Sequence, residues 1–481
     1  AALAFAAGEL EAALATPRRW ATLDPTSRQA HRYLSSINLR LGDVSAASKN
    51  LDWLLDNLAD SRADGYVAMA TLLLDEPVPK AAFDSLERLA RRDGHLAEAS
   101  YAAGLLALRA GDAPEARSYA EKAVSMRPDW DKAGLLYARV LIADGEGEAA
   151  IERVSGLIQP ESSADSRLEY AVLLAAVGRD QDAREYLDAL VDEQPENIRA
   201  LRTAALMALR TGDLEIAQSH FTRLLASGQR SYEAMFYLAS IAEQRQDYPR
   251  AVRLFAQVLG GDNVIAAQVR AARIIMQLGG VERALDHLDR FAEQYPGYTI
   301  DMVVVQGELL NEGGDPGRAL ALYGEALQEY PDNDSLRYAR AFLLESLDHV
   351  EPALEDLRVV VENKPDDAVA LNALGYTLAD RTDQTREAYR LIKRALELDP
   401  ENPAIIDSMG WVQFRRGRLD ESLEYLWQAY GLIKDAEIAA HIGEVLWTLG
   451  RLDEARAIFD EALASDPDNA VIKDVMKRLG I

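Results

Sequence analysis

Residues 440–467 read AHIGEVLWTLGRLDEARAIFDEALASDP, and the spacing inside this stretch decides the fold. Apolar side chains recur at helical intervals, at Leu446, Leu449, Leu452, Ala455, Phe459 and Ala462. Gly450-Arg451 interrupts them, and glycine readily takes the left-handed conformation that ends a helix. Pro467 then stops the second run, because it lacks the amide that a helix interior needs. The stretch predicts a helical hairpin with a tight turn.

The hairpin repeats along the chain. A small residue near the start of each second helix recurs at Ala47, Ala82, Ala116, Ala150, Ala183, Ala217 and Ala251, then at Ala284, Ala319, Ala353, Ala388, Ser422 and Ala455. The intervals are 33 to 35 residues, a period that belongs to stacked helix pairs. About twelve positions earlier runs a second ladder: Ser35, Ala70, Gly104, Ala138, Ala171, Ala205, Ala239, Ala272, Gly307, Ala341, Gly375, Gly410 and Gly443. Small side chains on both helices let the two backbones approach. Gly-Asp or Gly-Arg marks many of the turns, as at Gly111-Asp112, Gly212-Asp213, Gly178-Arg179 and Gly417-Arg418. Pro128, Pro195, Pro296, Pro331, Pro365 and Pro400 close units as Pro467 does, whereas the unit ending near Lys434 has no closing proline.

The repeat spans residues 28–469, thirteen lengths of 34, and predicts an all-α solenoid of about thirteen helix pairs. Residues 470–481 read as a C-terminal capping helix. Residues 1–16 read as an Ala/Leu-rich helix with the stripe Leu3, Ala7, Leu10 and Leu14, stopped by Pro17. That helix suits either an N-terminal cap or a tethered segment that docks into a partner protein.

Composition narrows the function classes. Acidic residues number 79 against 52 basic ones, a formal charge of −27, which opposes binding to nucleic acid or to an anionic membrane surface. There is no cysteine, so no disulfide, thiolate metal site or cysteine nucleophile is possible in this sequence. No phosphate-binding glycine loop occurs, and Gly145-Glu146-Gly147 reads as an inter-helix turn. His31, His95, His220, His287, His349 and His441 fall at most one to a repeat, without the i,i+4 spacing of a helical zinc site. Asp466, Asp468 and Asn469 lack the glycine and terminal glutamate of a calcium loop. The sequence predicts no catalytic residue, no metal and no cofactor.

The last unit, with Gly443, Leu446, Gly450, Ala455, Phe459, Ala462 and Pro467, resembles the tetratricopeptide repeat family. The middle units depart from its pattern, with Leu157, Leu190, Leu224, Val258 and Phe291 in place of a late alanine. The resemblance implies a right-handed superhelix whose inner wall, lined by the first helices, binds protein segments. Its inner positions fall on Arg139, Arg199, Arg202, Arg210 and Arg273, and later on Tyr338, Phe342, Asn372, Tyr376, Asp407, Trp411, Arg415 and Trp447. Aromatics and arginines dominate interaction hot spots, and the arginines suit carboxylates of a bound segment. The same spacing also suits packing between repeats.

Residues 371–380 (LNALGYTLAD), 395–400 (ALELDP), 405–411 (IIDSMGW) and 439–447 (AAHIGEVLW) are similar to a narrower group, outer-membrane lipoproteins of Gram-negative bacteria built of these repeats. Among that group are the adaptors of periplasmic carboxyl-terminal processing proteases. This resemblance implies a protein that binds and activates such a protease and presents protein substrates to it, peptidoglycan hydrolases among them. It also implies a location on the periplasmic side of the outer membrane, held by a lipid on a cysteine upstream of Ala1. A scaffold for envelope polysaccharide export or for secretion-machine assembly is the alternative.

Overall fold

The computed structural model describes residues 10–481, so Leu3 and Ala7 of the N-terminal stripe lie outside the described residues. Every regular element among those residues is helical. From Arg28–Arg40 paired with Val44–Leu55, to Ala436–Thr448 paired with Leu452–Ser465, thirteen helix pairs follow in order. The chain divides into two compact units, one through Ile241 and one from Ala242. Within each, a first helix packs on its own second helix and beside the first helix of a neighbouring pair.

The two ladders are the seams of this packing. All thirteen residues from Ala47 to Ala455 are fully buried. Glycine in the other ladder faces the largest partners: a Cβ on Gly443 would stand 2.2 Å from the Phe459 ring, and one on Gly307 2.1 Å from the Tyr323 ring. Real Cβ atoms never approach that closely, so a helix-disfavouring residue is required where an aromatic ring crosses the seam.

The turns explain the dipeptides. Gly111, Gly212 and Gly450 sit at φ of +74°, +78° and +77°. In the Gly-Asp turns the aspartate caps the second helix, Asp213 accepting from the Ile216 amide at 3.2 Å and Asp43 from that of Ala46 at 2.9 Å. In the Gly-Arg turns no side chain caps; instead the arginine pairs three residues on, Arg451 with Glu454 at 2.6 Å and Arg418 with Glu421 at 3.0 Å. Both devices place charge of the right sign in the first turn, because the acidic partner lies near the positive end of the helix dipole.

At the N-terminal side Pro17 does not stop a helix. It lies in the first turn of Ala15–Leu23, where no intrahelical amide is needed. Leu10–Ala13 forms a short preceding turn of helix, and Ala13 and Leu14 are buried against Leu34 and Ile37 of the first pair. At the other side Ala470–Leu479 buries Ile472 and Val475 in the cluster around Leu446 and Phe459. No helix among the described residues is long and apolar enough to cross a membrane.

Candidate functional site: a groove over four first helices

The inner-position residues divide into two kinds of surroundings. Within the first unit each arginine is held by a carboxylate of an adjacent repeat. Arg139 pairs with Glu169 at 2.5 Å, Arg199 with Asp165 at 2.6 Å and Arg202 with Glu233 at 2.7 Å. Arg210 pairs with Asp180 and also donates to the Ala175 carbonyl at 3.1 Å. In the second unit Arg273 likewise reaches Glu312 at 2.8 Å. Arg415 donates to the carbonyl of Asp380 at 2.5 Å. These guanidinium groups bridge neighbouring helices of the stack.

The later residues are arranged differently. Helices Asp334–Ser346, Ala368–Arg381, Pro403–Arg415 and Ala436–Thr448 are four consecutive first helices, and together they line a groove of about 540 Å³. Phe342, Asn372, Tyr376 and Asp407 all face it. Trp411 does not: it is buried, stacks on the His441 ring at 4.2 Å and donates its indole N–H to Asp380 at 3.1 Å. Trp447 packs against the core of the last pairs, and Tyr338 stacks beside Phe342 at 6.1 Å.

Sequence reasoning did not single out Glu345, Val369, Thr377, Ile433, Asp435 or Glu437, which also line the groove. A signal was present for two of them. Ile433 and Asp435 lie in the connection without a closing proline, where helix Leu419–Leu432 runs out and leaves Ile433 48% exposed. Asp435 then caps the next helix, accepting from the Glu437 amide at 2.8 Å.

Beneath the groove lies a buried polar chain. His441 Nδ1–H donates to both oxygens of Asp407, at 3.0 and 3.1 Å, with both residues more than nine-tenths buried. Burial lowers the His441 pKa, but the Asp407 charge and hydrogen bond, with Glu437 and Asp380 adding, leave it raised above its ordinary value. Tyr376 donates its hydroxyl to Glu437 at 3.1 Å, and burial and then that carboxylate push its own pKa up. Glu345 accepts from Thr377 at 3.2 Å, yet burial raises its pKa.

The lining therefore holds four carboxylates, of Glu345, Asp407, Asp435 and Glu437, and among the described residues no lysine, arginine or histidine. It also holds three apolar side chains left in water, Phe342 (54% exposed), Val369 (62%) and Ile433. Such a surface can bind a partner of complementary charge. No group of three or more acidic or histidine side chains placed to hold a metal occurs among the described residues.

Known proteins fit this architecture. One tetratricopeptide-repeat family model matches residues 67–133, 202–264 and 408–470, and a second matches 107–162 and 310–375. Together they span more than half of the chain. A TPR repeat-containing protein of Pseudomonas aeruginosa is 40% identical over 211 residues, 44% of this chain and 36% of that protein. Cellulose synthase 2 operon protein C of Komagataeibacter xylinus is 23% identical over 270 residues, 51% of this chain and 20% of its own length. Among solved structures, yeast Tom70 aligns over 86% of this chain and 99% of its own, with 15% identity and a TM-score of 0.41. The chain spans less than two thirds of the length of the curated relatives it matches. With its ladders, turns and matching segments, it belongs to the tetratricopeptide repeat family, whose members act as protein-interaction scaffolds.

Proposed function

We propose that this protein is a non-catalytic adaptor on the periplasmic side of an outer membrane. It binds and activates a carboxyl-terminal processing protease and delivers protein substrates, such as peptidoglycan hydrolases, to it. The observation that carries this reading is one of coincidence. Three of the four segments similar to the lipoprotein adaptors, 371–380, 405–411 and 439–447, lie on three of the four helices that line the open groove, while 395–400 ends the second helix Thr385–Leu398 outside it. The 40% identity to the Pseudomonas aeruginosa repeat protein supports a bacterial scaffold.

In this mechanism the repeats receive a substrate while another region holds the protease, which raises the local concentration of one near the other. Activation follows if the adaptor binds the active conformation of the protease more tightly than the inactive one. The N-terminal segment is the protease-docking candidate through Leu3 and Ala7, since Leu14 and, in part, Leu10 are already used in the cluster with Leu34 and Ile37. A lipid attached upstream of Ala1 would anchor the assembly.

Capture from envelope extract tests the reading, with residues 1–481 as bait and a second bait lacking residues 1–9. Recovery of a processing protease by the first bait and its loss with the second supports adaptor and docking segment together. Recovery of polysaccharide-export or secretion components with no protease favours the alternative, for which the likeness to the cellulose synthase operon protein of Komagataeibacter xylinus speaks.

A further inference from the structure

We propose that the groove over the four helices between Asp334 and Thr448 receives an extended protein segment that carries lysine or arginine beside an apolar side chain. The proposal deepens the scaffold reading, by naming the chemistry of what this half of the chain receives, and it does not depend on the protease.

The charge of the groove is its first support. Elsewhere in the stack, inner-face carboxylates such as Glu169, Asp165 and Glu233 are matched by arginines within 2.7 Å. Glu345, Asp435 and Glu437 take hydrogen bonds only from neutral groups, Thr377, a backbone amide and Tyr376. None of the three forms an ion pair among the described residues. Asp407 alone has a basic partner, and that partner, His441, is buried behind it. No lysine or arginine lines this trough among the described residues, and the charge of Arg381, which pairs with Asp348, reaches Glu345 only from outside the lining, so an arriving ammonium or guanidinium group finds several acceptors.

The second support is apolar. Phe342, Val369 and Ile433 come from three separate elements and all keep about half or more of their surface exposed while lining the same trough. Apolar contact area that is unburied in the free chain is gained only when a partner covers it.

The third is a hydrogen-bonding debt. The amide oxygen of Asn372, on the groove wall, is closed off from solvent and accepts from nothing. That oxygen lacks a donor. The backbone N–H groups of an extended chain are such donors, whereas those of a helix are already spent on its own carbonyls. Extended backbone, basic side chain and apolar side chain are together what the three observations require.

The test is a fluorescence anisotropy titration of the full chain with capped, fluorescein-labelled nonapeptides. The probe alternates lysine and leucine; one control replaces every lysine by glutamate and another every leucine by serine. The lysine–leucine probe is expected to saturate, with each control weaker by about tenfold or more. Glu345→Gln with Glu437→Gln, and separately Val369→Ser, should each weaken the probe by about fivefold or more, with unchanged far-ultraviolet dichroism. Glu196→Gln with Glu215→Gln removes the same charge from exposed sites in the first unit and should leave binding unchanged. Three results would overturn the proposal: no saturation by about 1 mM, equal or tighter binding of the glutamate probe, or equal weakening by the two double variants. The last would mean that only the overall negative charge attracts the peptide. No protease is present in this assay, so its failure leaves the adaptor reading standing, and the capture experiment can fail without touching this one.

Discussion

The first helices between Asp131 and Ile241 and those between Asp334 and Thr448 share one fold and use their polar positions in opposite ways. In the earlier region Arg139, Arg199 and Arg202 each reach a carboxylate one repeat away, so the charge of both partners is consumed in joining repeats. In the later region the buried pair His441–Asp407, with the Trp411 ring stacked on it, joins repeats below the groove, Arg381–Asp348 and Arg415 join them beside it, and the carboxylates of the groove remain open. A repeat stack can thus be held together either by exposed ion pairs or by a buried polar chain. Only the second arrangement frees the exposed positions for a partner.

The sharpest way to break the comparison is to remove the buried acceptor. Asp407→Ala leaves the His441 ring enclosed with its Nδ1–H unpaired, and breaking a buried pair from one side costs about 3–5 kcal/mol. Urea unfolding followed by tryptophan fluorescence checks it, because Trp411, Trp427 and Trp447 report on the last repeats. A loss below about 1 kcal/mol would mean that the pair behaves like an exposed one.

Next in size is the glycine seam. Gly443→Ala drives a methyl into the Phe459 ring and is expected to cost about 1–3 kcal/mol. The equivalent Gly104 is roomier, with the nearest atoms to a new Cβ at 3.2 Å. There the gain in helix propensity, about 1 kcal/mol, offsets the tight contact, and Gly104→Ala should be close to neutral in the same unfolding measurement.

These contrasts also show what the sequence makes legible. The thirteen-fold ladders and the Gly-Asp turns are visible because seams and turns constrain single residues: a small side chain where backbones meet, glycine where φ must be positive. The arginine pairing was open to reading too, since Arg139 and Glu169, Arg202 and Glu233, and Arg199 and Asp165 stand 30, 31 and 34 residues apart, about one repeat. The groove was harder. The family's inner positions picked up Phe342, Asn372, Tyr376 and Asp407, which line it, but also Trp411 and Trp447, whose rings pack inside the stack. Val369, Ile433 and Glu437 carry no distinctive residue type, and only the spacing of four helices in three dimensions brings them together. Pro17 misled for a local reason, because the first turn of a helix tolerates the missing amide.

Acidity distinguishes the two regions without mutation of either fold. The raised His441 pKa stabilises the folded state fully below the unfolded value, near 6.5, and that contribution is lost as pH climbs through the folded pKa. His220, in the first unit, is lowered by burial, so its contribution is present above about 6.5 and is lost as pH falls through the folded value. Urea midpoints measured across pH should therefore decline on the alkaline side for wild type and not for His441→Gln. The acid-side decline should shrink in His220→Gln. Equal slopes in wild type and both variants would remove the histidines from the account.

A smaller effect comes from the turns. Asp348 occupies the left-handed region at φ +62°, where most units use glycine. Asp348→Gly relieves that strain but gives up its ion pair with Arg381. Relief of about 1–2 kcal/mol against an exposed pair of about 0.2–1 kcal/mol leaves a net gain of about 1 kcal/mol. Differential scanning of the two proteins would show it as a higher unfolding temperature for the variant, and a lower one would mean that the pair outweighs the strain.

The smallest expected change is the one that tests the meaning of the arginine ladder. Arg199 and Asp165 are both about three-quarters exposed, so Arg199→Ala should cost less than about 1 kcal/mol and less still at high salt. Stability alone would then rank the ladder as unimportant, and the comparison with the groove requires a second readout. If the ladder only joins repeats, Arg199→Ala leaves the affinity for both the lysine–leucine and the glutamate–leucine peptides unchanged. If the arginine can leave Asp165 to receive a carboxylate of a partner, the variant loses affinity for the acidic peptide selectively. The pair already satisfies Arg199 at 2.6 Å, and an incoming carboxylate would have to displace Asp165 while leaving it uncompensated in a protein of charge −27. That exchange yields no net ion pair, so the acidic peptide should bind wild type and variant equally weakly.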